Sequence, residues 1–317
     1  MDGSQRQLNS LWSILLAGGE GERTRPFIER WLGEHKPKQY CTFVGTRSLF
    51  QHTVDRADRL SHPERRVVVA AESHREDVRS QMEGRAPGGR ILFQPENRGT
   101  APGVFLPLTY VLAEDPEATV VVYPSDHFVY PEGAFLGAVA DAVAVLERTP
   151  QRAVLLGVVP ESPEPDYGWI LPGPEVGMAV GEHRVRSVAR FLEKPENGSA
   201  KRAMAHGGLW NTLVIVAKAK ALWSLGRQCF PRVMELFQWL AMSLGTAQET
   251  EVRESIYRMM PVRDFSSHLL QRVPEMLAVL ELGGVLWSDW GRPERIDRTL
   301  RQIGRKPAFP AEYVLAS

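Results

Sequence analysis

Apolar residues in the first half of the chain form short continuous runs, and these alternate with longer segments in which apolar positions recur every three or four residues. The short runs are rich in Val, Ile and Leu, which is typical of strands buried on both faces of a sheet. They cover residues 13–16, 67–71, 91–94, 120–123 and 154–159. The longer segments at 49–60, 101–113 and 134–146 have helical spacing. This alternation predicts an α/β fold with a parallel sheet.

The pattern changes after Pro160, where Pro and Gly are scattered between short apolar runs. Further strand-like runs at 185–193 and 212–217 predict a mixed-sheet extension, and 218–244 and 249–257 have helical spacing. No repeat, low-complexity tract or flexible spacer divides the chain. We therefore expect one domain over residues 1–304, followed by a C-terminal tail over 305–317.

Composition narrows the class of protein. The 317 residues are 43% hydrophobic and 24% charged, which is ordinary for a globular chain with a large core. The 38 basic and 38 acidic residues cancel, so no overall field attracts nucleic acid or an anionic membrane. Neither is expected as a partner, and any phosphate binding must be local.

Cysteine usage and the first residues bear on location. Cys41 and Cys229 are too few and too far apart for a disulfide framework or a zinc site. The first ten residues are polar, and the apolar runs are too short to span a bilayer. These features predict a soluble, cytoplasmic protein.

A glycine-rich loop over residues 17–25 follows the first predicted strand directly. Glycines let backbone N–H groups approach a phosphate without interference from a Cβ atom, and Arg23 adds positive charge. The loop lacks the G-K-[ST] ending of a Walker A motif, and Thr24 stands where a dinucleotide fingerprint needs its third glycine. An ordinary tight turn is the alternative interpretation. The glycines are Gly18, Gly19 and Gly21.

Two carboxylates and one lysine are candidates for phosphate and metal chemistry. Asp126 follows the strand at 120–123, and ligands of open α/β sheets bind beyond the carboxyl ends of strands. Mg²⁺ prefers one or two carboxylates together with phosphate oxygens and water, and Asp289 is the candidate for the second. Lys38 follows the stiff Pro37 and suits point contact with a phosphate, although an exposed lysine is the alternative. His127 adjoins Asp126 and could be a ligand, but it has no zinc-like partner, so a structural role or a role in supporting a metal ligand is favoured.

With these pieces in order, the chain resembles the sugar-nucleotide pyrophosphorylase family, most closely its mannose-1-phosphate guanylyltransferase branch. LLAGGEGERTRP is similar to the family's L-A-G-G-x-G-x-R-L-x-P signature, KPKQY to P-K-Q-F, and FQPENRGTAPG to R-N-T-A-P-A-I. The segments YPSDH, DYGWI, FLEKP, LWN and WSDWG follow in the family's order. The resemblance covers nearly the whole chain.

The resemblance implies a Rossmann-like nucleotidyltransferase fold of the glycosyltransferase-A type, with a mixed, mainly parallel central sheet flanked by helices. It implies Mg²⁺-dependent transfer from GTP to mannose-1-phosphate, which gives GDP-mannose and pyrophosphate. The same chemistry with another nucleoside triphosphate or hexose-1-phosphate is one alternative, and a non-catalytic nucleotide-sugar-binding regulatory protein is another. A dinucleotide oxidoreductase is disfavoured, because its complete glycine fingerprint and ribose-binding acid are missing.

The resemblance also implies roles for individual residues. The catalytic residues would be Arg23, Lys38 and Asp126, and the metal ligands would be Asp126 and Asp289. Binding of the nucleotide would fall to Ala17, Gly18, Gly19, Gly21, Arg98, Thr100 and Ala101. Binding of the sugar phosphate would fall to Gly168, Glu193, Lys194 and Asn211.

Several positions depart from the family pattern, and they leave the base and the sugar open. Glu22 and Thr24 flank Arg23 where the family has Thr and Leu, and Gly99 replaces an asparagine. Thr212 and Leu213 stand where W-N-S-G is common, and Ser266 lies about where relatives carry an aspartate. Only a short tail follows Gly304, so we expect a monofunctional enzyme. A homodimer is an open alternative for the oligomeric state.

Overall fold

The computed structural model describes residues 10–85, 88–176, 184–310 and 313. Within them the strands are β1 (Leu11–Ala17), β2 (Arg66–Ala71), β3 (Arg90–Gln94), β4 (Thr119–Pro124), β5 (Phe128–Tyr130), β6 (Ala153–Val158), β7 (Trp169–Glu175), β8 (Val185–Leu192), β9 (Leu209–Lys218), β10 (Leu277–Glu281) and β11 (Leu286–Ser288). The α-helices are α1 (Arg25–Leu32), α2 (Leu49–Asp58), α3 (Arg75–Met82), α4 (Thr100–Glu114), α5 (Glu132–Val145), α6 (Asn197–Ala205), α7 (Ala219–Cys229), α8 (Pro231–Ser243), α9 (Glu249–Met259) and α10 (Pro293–Gln302).

Nine of these strands form one mixed sheet in the order β3-β2-β1-β4-β9-β6-β10-β8-β7. The neighbours β3, β2, β1 and β4 are all parallel, and β10 is parallel to β6. The strands β9 and β8 run in the opposite direction to their neighbours. The predicted mixed, mainly parallel α/β sheet is therefore confirmed, and the five strands predicted in the first half coincide with β1 to β4 and β6 to within two residues.

One predicted element is wrong in its extent. The helical spacing over 218–244 belongs to two helices, α7 and α8, which meet at Phe230. Pro231 has no backbone N–H and disfavours the α conformation in the residue before it. Phe230 accordingly has φ −133° and ψ 53°, so the chain turns there. The apolar periodicity of the two helices conceals this break.

Apolar side chains pack on both faces of the sheet. One layer joins the sheet to α4, α7, α8 and α9, and the other joins it to α2 and α5. A smaller aromatic cluster lies under α1 and α10, where the ring of Trp290 stacks on Phe128 with centroids 4.6 Å apart. No helix in the described part of the chain is both long enough and apolar enough to cross a membrane.

Two features of the fold bring the candidate site together. The strands β1 and β4 are parallel neighbours, so the glycine-rich loop and Asp126 follow their carboxyl ends at the same edge of the sheet. The Ser125 hydroxyl donates to the Leu16 carbonyl at 2.7 Å and fixes the exit of β4. The strands β5 and β11 form a separate antiparallel ribbon in which Phe128 pairs with Ser288. This ribbon carries the segment around Asp289 to the same edge.

Candidate active site

Interior side chains hold the glycine-rich loop by its carbonyl groups. The Ala17 carbonyl accepts from Gln39 Nε2 at 3.0 Å and from the Tyr40 hydroxyl at 2.9 Å, and Gln39 Nε2 also donates to the Gly19 carbonyl at 2.8 Å. Among the described residues, no acceptor pairs with the backbone N–H groups of residues 19–21. The loop therefore presents donors to a ligand, as a phosphate cradle requires.

Two of the glycines are closely packed, and Gly21 also needs a backbone conformation that favours glycine. Gly21 has φ 66°, and a Cβ atom there would lie 3.1 Å from the Lys38 nitrogen. A Cβ at Gly18 would lie 3.0 Å from Gln94 Nε2. A Cβ at Gly19 would meet nothing within 4 Å, so its surroundings leave room for a ligand.

The loop borders two adjoining clefts of about 380 and 390 Å³. The first is lined by the loop together with Lys38 and Arg23, and the second by Gly18, Gly19 and the start of α4. Asn97 and Asp126 line both. A ligand that occupies both clefts must therefore pass beside Asp126.

Lys38 is buried, with 4% of its surface exposed, and its ammonium group joins the two acidic segments. Its Nζ lies 3.0 Å from Asp126 Oδ2 and also donates to the backbone carbonyl of Asp289. The predicted phosphate-binding lysine is thus one wall of the first cleft, and the alternative of a solvated surface lysine is excluded.

The two aspartates are ionised at neutral pH. Burial would raise the pKa of Asp126, but the charge of Lys38 and its hydrogen bond to the carboxylate bring that pKa below its ordinary value. Burial also opposes ionisation of Asp289, and Lys38 and Arg295 hold the pKa of that carboxyl well below its usual range. Ionised carboxylates are the donors that a divalent cation prefers.

The residues present fit such a cation. The side chain of Asp126 is 37% exposed at the cleft, and its Oδ1 has only His127 Nε2 nearby, at 3.5 Å, among the described residues. Asp289 Oδ2 is contacted by the half-exposed guanidinium of Arg23 at 3.1 Å. No group of three or more acidic, His or Cys side chains converges in the described part of the chain. Phosphate oxygens and water would have to supply the remaining ligands.

Arg23 is held by two acids at the mouth of the cleft. Its second guanidinium nitrogen lies 3.5 Å from Asp166, which begins the DYGWI segment but was given no role from the sequence. Arg292 also binds Asp166, at 2.6 Å. Because the Arg23 side chain is 52% exposed, its contacts with Asp166 and Asp289 can be exchanged for contacts with a phosphate at small cost.

The segment from Arg98 to Ala101 docks on the chain that follows α9. Arg263 N donates to the Arg98 carbonyl at 2.9 Å, and Ala101 N donates to the Arg263 carbonyl at 3.1 Å. Gly99 lies between these bonds with φ 88°, and a Cβ there would overlap the Arg263 carbonyl oxygen. This contact explains the glycine in place of the family's asparagine.

Of the three predicted nucleotide-binding residues in this segment, only Thr100 lines one of the two clefts. Thr100 lines the second cleft and donates to Asp264 at 2.8 Å, while Ala101 is buried at the start of α4. The Arg98 guanidinium binds the Tyr257 carbonyl at 2.9 Å and pairs with Glu96, and it lines neither cleft. Arg98 is therefore an anchor of the loop in this structure.

The residues assigned to the sugar form a second group. A Cβ at Gly168 would lie 2.9 Å from Glu193 Oε2 and 3.3 Å from the Asn211 Cβ, so these three residues meet. Asn211 N donates to the Gly168 carbonyl at 2.8 Å. Burial raises the pKa of Glu193 to about 7. The negative charge of Asp264 adds to this shift, and the positive charge of Lys194 opposes it. Asp264, whose charge acts on Glu193, also lines the second cleft.

The departures from the family pattern have different surroundings. Thr24 is buried and its hydroxyl donates to the Gly21 carbonyl at 3.0 Å, whereas Glu22 is exposed and lines the first cleft. Leu213 has φ 57°, a conformation that favours glycine, and lines the second cleft. Ser266 is buried in a short π-helix, and Asp264, two residues earlier, is the acid that lines the cleft.

His127 packs edge-on against Trp287, with centroids 5.2 Å apart. Burial lowers the pKa of His127 below its ordinary value, against the attraction of Asp126, so the imidazole is neutral at pH 7. These surroundings support the structural role assigned from the sequence.

Comparison with known proteins identifies similar chains. The model of the nucleotidyl transferase family matches residues 12–303. The xanthan biosynthesis protein XanB of Xanthomonas campestris is 30% identical over 314 residues, which is 97% of this chain and 63% of that protein. A mannose-1-phosphate guanylyltransferase of Klebsiella pneumoniae is 30% identical over 232 residues, which is 72% of this chain and 47% of that protein.

A solved structure is similar over most of the chain. It is described as a mannose-1-phosphate geranyltransferase from Thermus thermophilus, with a TM-score of 0.77 and 25% identity, and the match covers 92% of this chain and 79% of that one. The curated relatives are longer than this chain. The matched region spans 41% of the length of the alginate biosynthesis protein AlgA of Pseudomonas aeruginosa and 63% of the length of XanB.

We expect Gly99→Ala to destabilise the protein, because Gly99 combines a positive φ with a carbonyl oxygen in the space that the new Cβ would fill. The expected loss is about 1–3 kcal/mol in the free energy of urea-induced unfolding. Gly137→Ala is the control, since that glycine lies inside α5 with nothing within 4 Å of the new Cβ. Equal stability of the two variants would contradict the docking contact.

Glu193 makes stability depend on pH. Its carboxyl has an ordinary pKa of 4.5 in the unfolded chain and about 7 in the folded protein. Its contribution to the free energy of unfolding is therefore full below pH 4.5 and is lost as the pH rises through 7. Glu193→Gln should therefore gain melting temperature relative to wild type between about pH 5 and pH 8. A difference that stays constant over this range would show that the carboxyl does not titrate in it.

Proposed function

Because the chain belongs to the nucleotidyl transferase family, we propose that it transfers a guanylyl group from GTP to mannose-1-phosphate with the help of Mg²⁺. The products are GDP-mannose and pyrophosphate. The observation that carries this proposal is the meeting of Lys38, Asp126 and the Asp289 segment beside a loop whose N–H donors find no acceptor within the described ranges. The named activity of the Klebsiella pneumoniae relative supports the choice of substrates.

The reaction is an in-line displacement at the α-phosphorus of the triphosphate. An oxygen of the sugar phosphate forms the new P–O bond while the bond to the pyrophosphate oxygen breaks. No general base is needed, because a phosphomonoester with a second pKa of about 6 is already ionised at neutral pH. Both reactants are anionic, so catalysis depends on positioning and on compensation of charge.

The side chains described above divide this work. The N–H groups of the glycine-rich loop hold phosphate oxygens in place, and Lys38 and Arg23 offset the charge that builds on the leaving pyrophosphate. Asp126 and Asp289 would hold Mg²⁺, which when bound would offset the negative charge of the phosphates. Before substrate binds, the positive charges of Lys38 and Arg23 balance the negative charges of these two acids.

The alternatives use the same site in different ways. Leu213 lines the second cleft from a conformation that favours glycine, so it narrows the space for the substrate. Another base or hexose phosphate would have to fit this narrower space. Burying the charged Lys38 beside Asp126 and the Asp289 backbone costs free energy. A non-catalytic regulatory protein only has to bind its ligand, so it has less need of this arrangement.

A substrate panel tests the proposed pair. Initial rates of pyrophosphate release are measured with the common nucleoside triphosphates, each combined with mannose-, glucose- and galactose-1-phosphate. GTP with mannose-1-phosphate should have the highest kcat/KM, by at least about tenfold, because pocket contacts of about 1–3 kcal/mol give ratios of that order. If another pair is equal or better, the substrate assignment fails. If no pair releases pyrophosphate, the catalytic proposal fails.

Asp126→Asn should lower kcat by about 10²- to 10³-fold, because it removes a charged ligand of the metal. The melting temperature should also fall, because the buried Lys38 loses its charged partner, so the rates are compared at a temperature at which both proteins are folded. Asp141→Asn, on α5 and outside both clefts, is the matched control and should retain activity. Undiminished Mg²⁺-dependent turnover in Asp126→Asn would refute the metal assignment.

A further inference from the structure

The two carboxylate oxygens of Asp289 have very different surroundings. Oδ1 accepts three hydrogen bonds, from the Tyr167 hydroxyl at 2.9 Å, from Gly291 N at 2.8 Å and from Arg295 at 2.9 Å. Oδ2 is contacted by Arg23 at 3.1 Å, and that guanidinium is half-exposed. Interior donors therefore occupy one oxygen fully, and the other contacts Arg23, which lines the first cleft.

Arg295 is itself held on several sides. It lies on α10 with 9% of its surface exposed. Its other terminal nitrogen binds Glu164 at 2.7 Å and Asp166 at 3.2 Å, and its guanidinium lies 4.6 Å from the centre of the Tyr167 ring. A planar guanidinium fixed by two acids and an aromatic face has little freedom to rotate. It can therefore transmit a fixed orientation to Asp289.

We propose that Arg295 is a positioning residue for the metal site, because it fixes Asp289 so that Oδ2 alone is presented to a divalent cation. The inference rests on the proposed function, in which Asp289 binds the metal. Carboxylates that ligate metals are themselves hydrogen-bonded, and loss of such a partner typically weakens metal affinity about 10- to 100-fold. Nothing in the sequence motifs assigns this role to Arg295.

The charges around Arg295 make this arrangement compatible with cation binding. A lone arginine beside a metal ligand would repel the cation. Here one guanidinium is shared by Glu164, Asp166 and Asp289. Together with Arg23 and Arg292, which contact the same acids, the cluster has no excess positive charge. Arg295 therefore orders Asp289 while the acids around it offset its repulsion of the metal.

Arg292 provides a matched control. It lies three residues earlier and binds the same Asp166, at 2.6 Å, but it does not contact Asp289. Arg292→Gln and Arg295→Gln therefore make the same change in charge beside the same acid. A difference between them reports on the contacts that Arg295 makes and Arg292 does not, which include those with Asp289 and Glu164.

Binding of Mn²⁺, a stand-in for Mg²⁺, is measured by titrating the purified protein and following the EPR signal of the free ion. Arg295→Gln should weaken Mn²⁺ binding at least about tenfold, and Arg292→Gln less than about twofold. Arg295→Lys, which keeps the charge without the planar fork, should be intermediate. The Mg²⁺ concentration that gives half-maximal turnover should rise in the same order. Melting temperatures without metal separate a folding defect from a metal defect.

The outcomes separate this inference from the proposed function. If Asp289→Asn loses Mn²⁺ affinity but Arg295→Gln matches wild type or Arg292→Gln, the positioning role alone is overturned. If Asp289→Asn binds Mn²⁺ as well as wild type, the assignment of Asp289 as a metal ligand in the proposed function and the positioning role of Arg295 are both overturned. Should Arg295→Gln fail to fold, Tyr167→Phe removes another Oδ1 donor without a change of charge. Wild-type affinity in both Tyr167→Phe and Arg295→Lys would then refute the positioning role.

Discussion

The arrangement of the site depends on one buried ammonium group. Lys38 lies between Asp126 and the backbone of Asp289, a residue 251 positions away in the sequence. A charge buried in a protein is costly unless it is paired and hydrogen-bonded, so these contacts must form together. Gly21 packs against the backbone of Lys38, and the glycine-rich loop is thereby tied to the same point. The phosphate cradle and the two acids are parts of one electrostatic unit.

Much of this unit could be predicted from the sequence, because its signals are local. The strand that precedes the glycine-rich loop and the strand that precedes Asp126 are continuous apolar runs, and parallel strands of that kind place their carboxyl ends at one edge. The order of the motifs then indicated Lys38 and Asp289. The break between α7 and α8 was missed although Pro231 marks it, since the apolar periodicity continues on both sides.

The rest depends on contacts between distant segments, which no local pattern reveals. Asp166 and Arg295 were given no role. The resemblance drew attention to Gly168 in the DYGWI segment rather than to Asp166, and an arginine on a polar helix is an ordinary surface residue in a sequence. Their importance follows from a fold that places their side chains 3.2 Å apart. Asp264 was missed for a related reason: the family's motif drew attention to Ser266, two residues later in the π-helix. Tertiary position decided each of these cases.

The small ribbon of β5 and β11 has a consequence for the dynamics of the site. Asp126 lies two residues before β5 and Asp289 directly follows β11, so three paired residues on each side hold the two acids at one end. Short two-stranded pieces open locally at a lower free energy than that of global unfolding. Opening of the ribbon would disperse the acids while the nine-stranded sheet remained intact. Hydrogen exchange of the ribbon amides thus measures how often the two acids separate within a folded molecule.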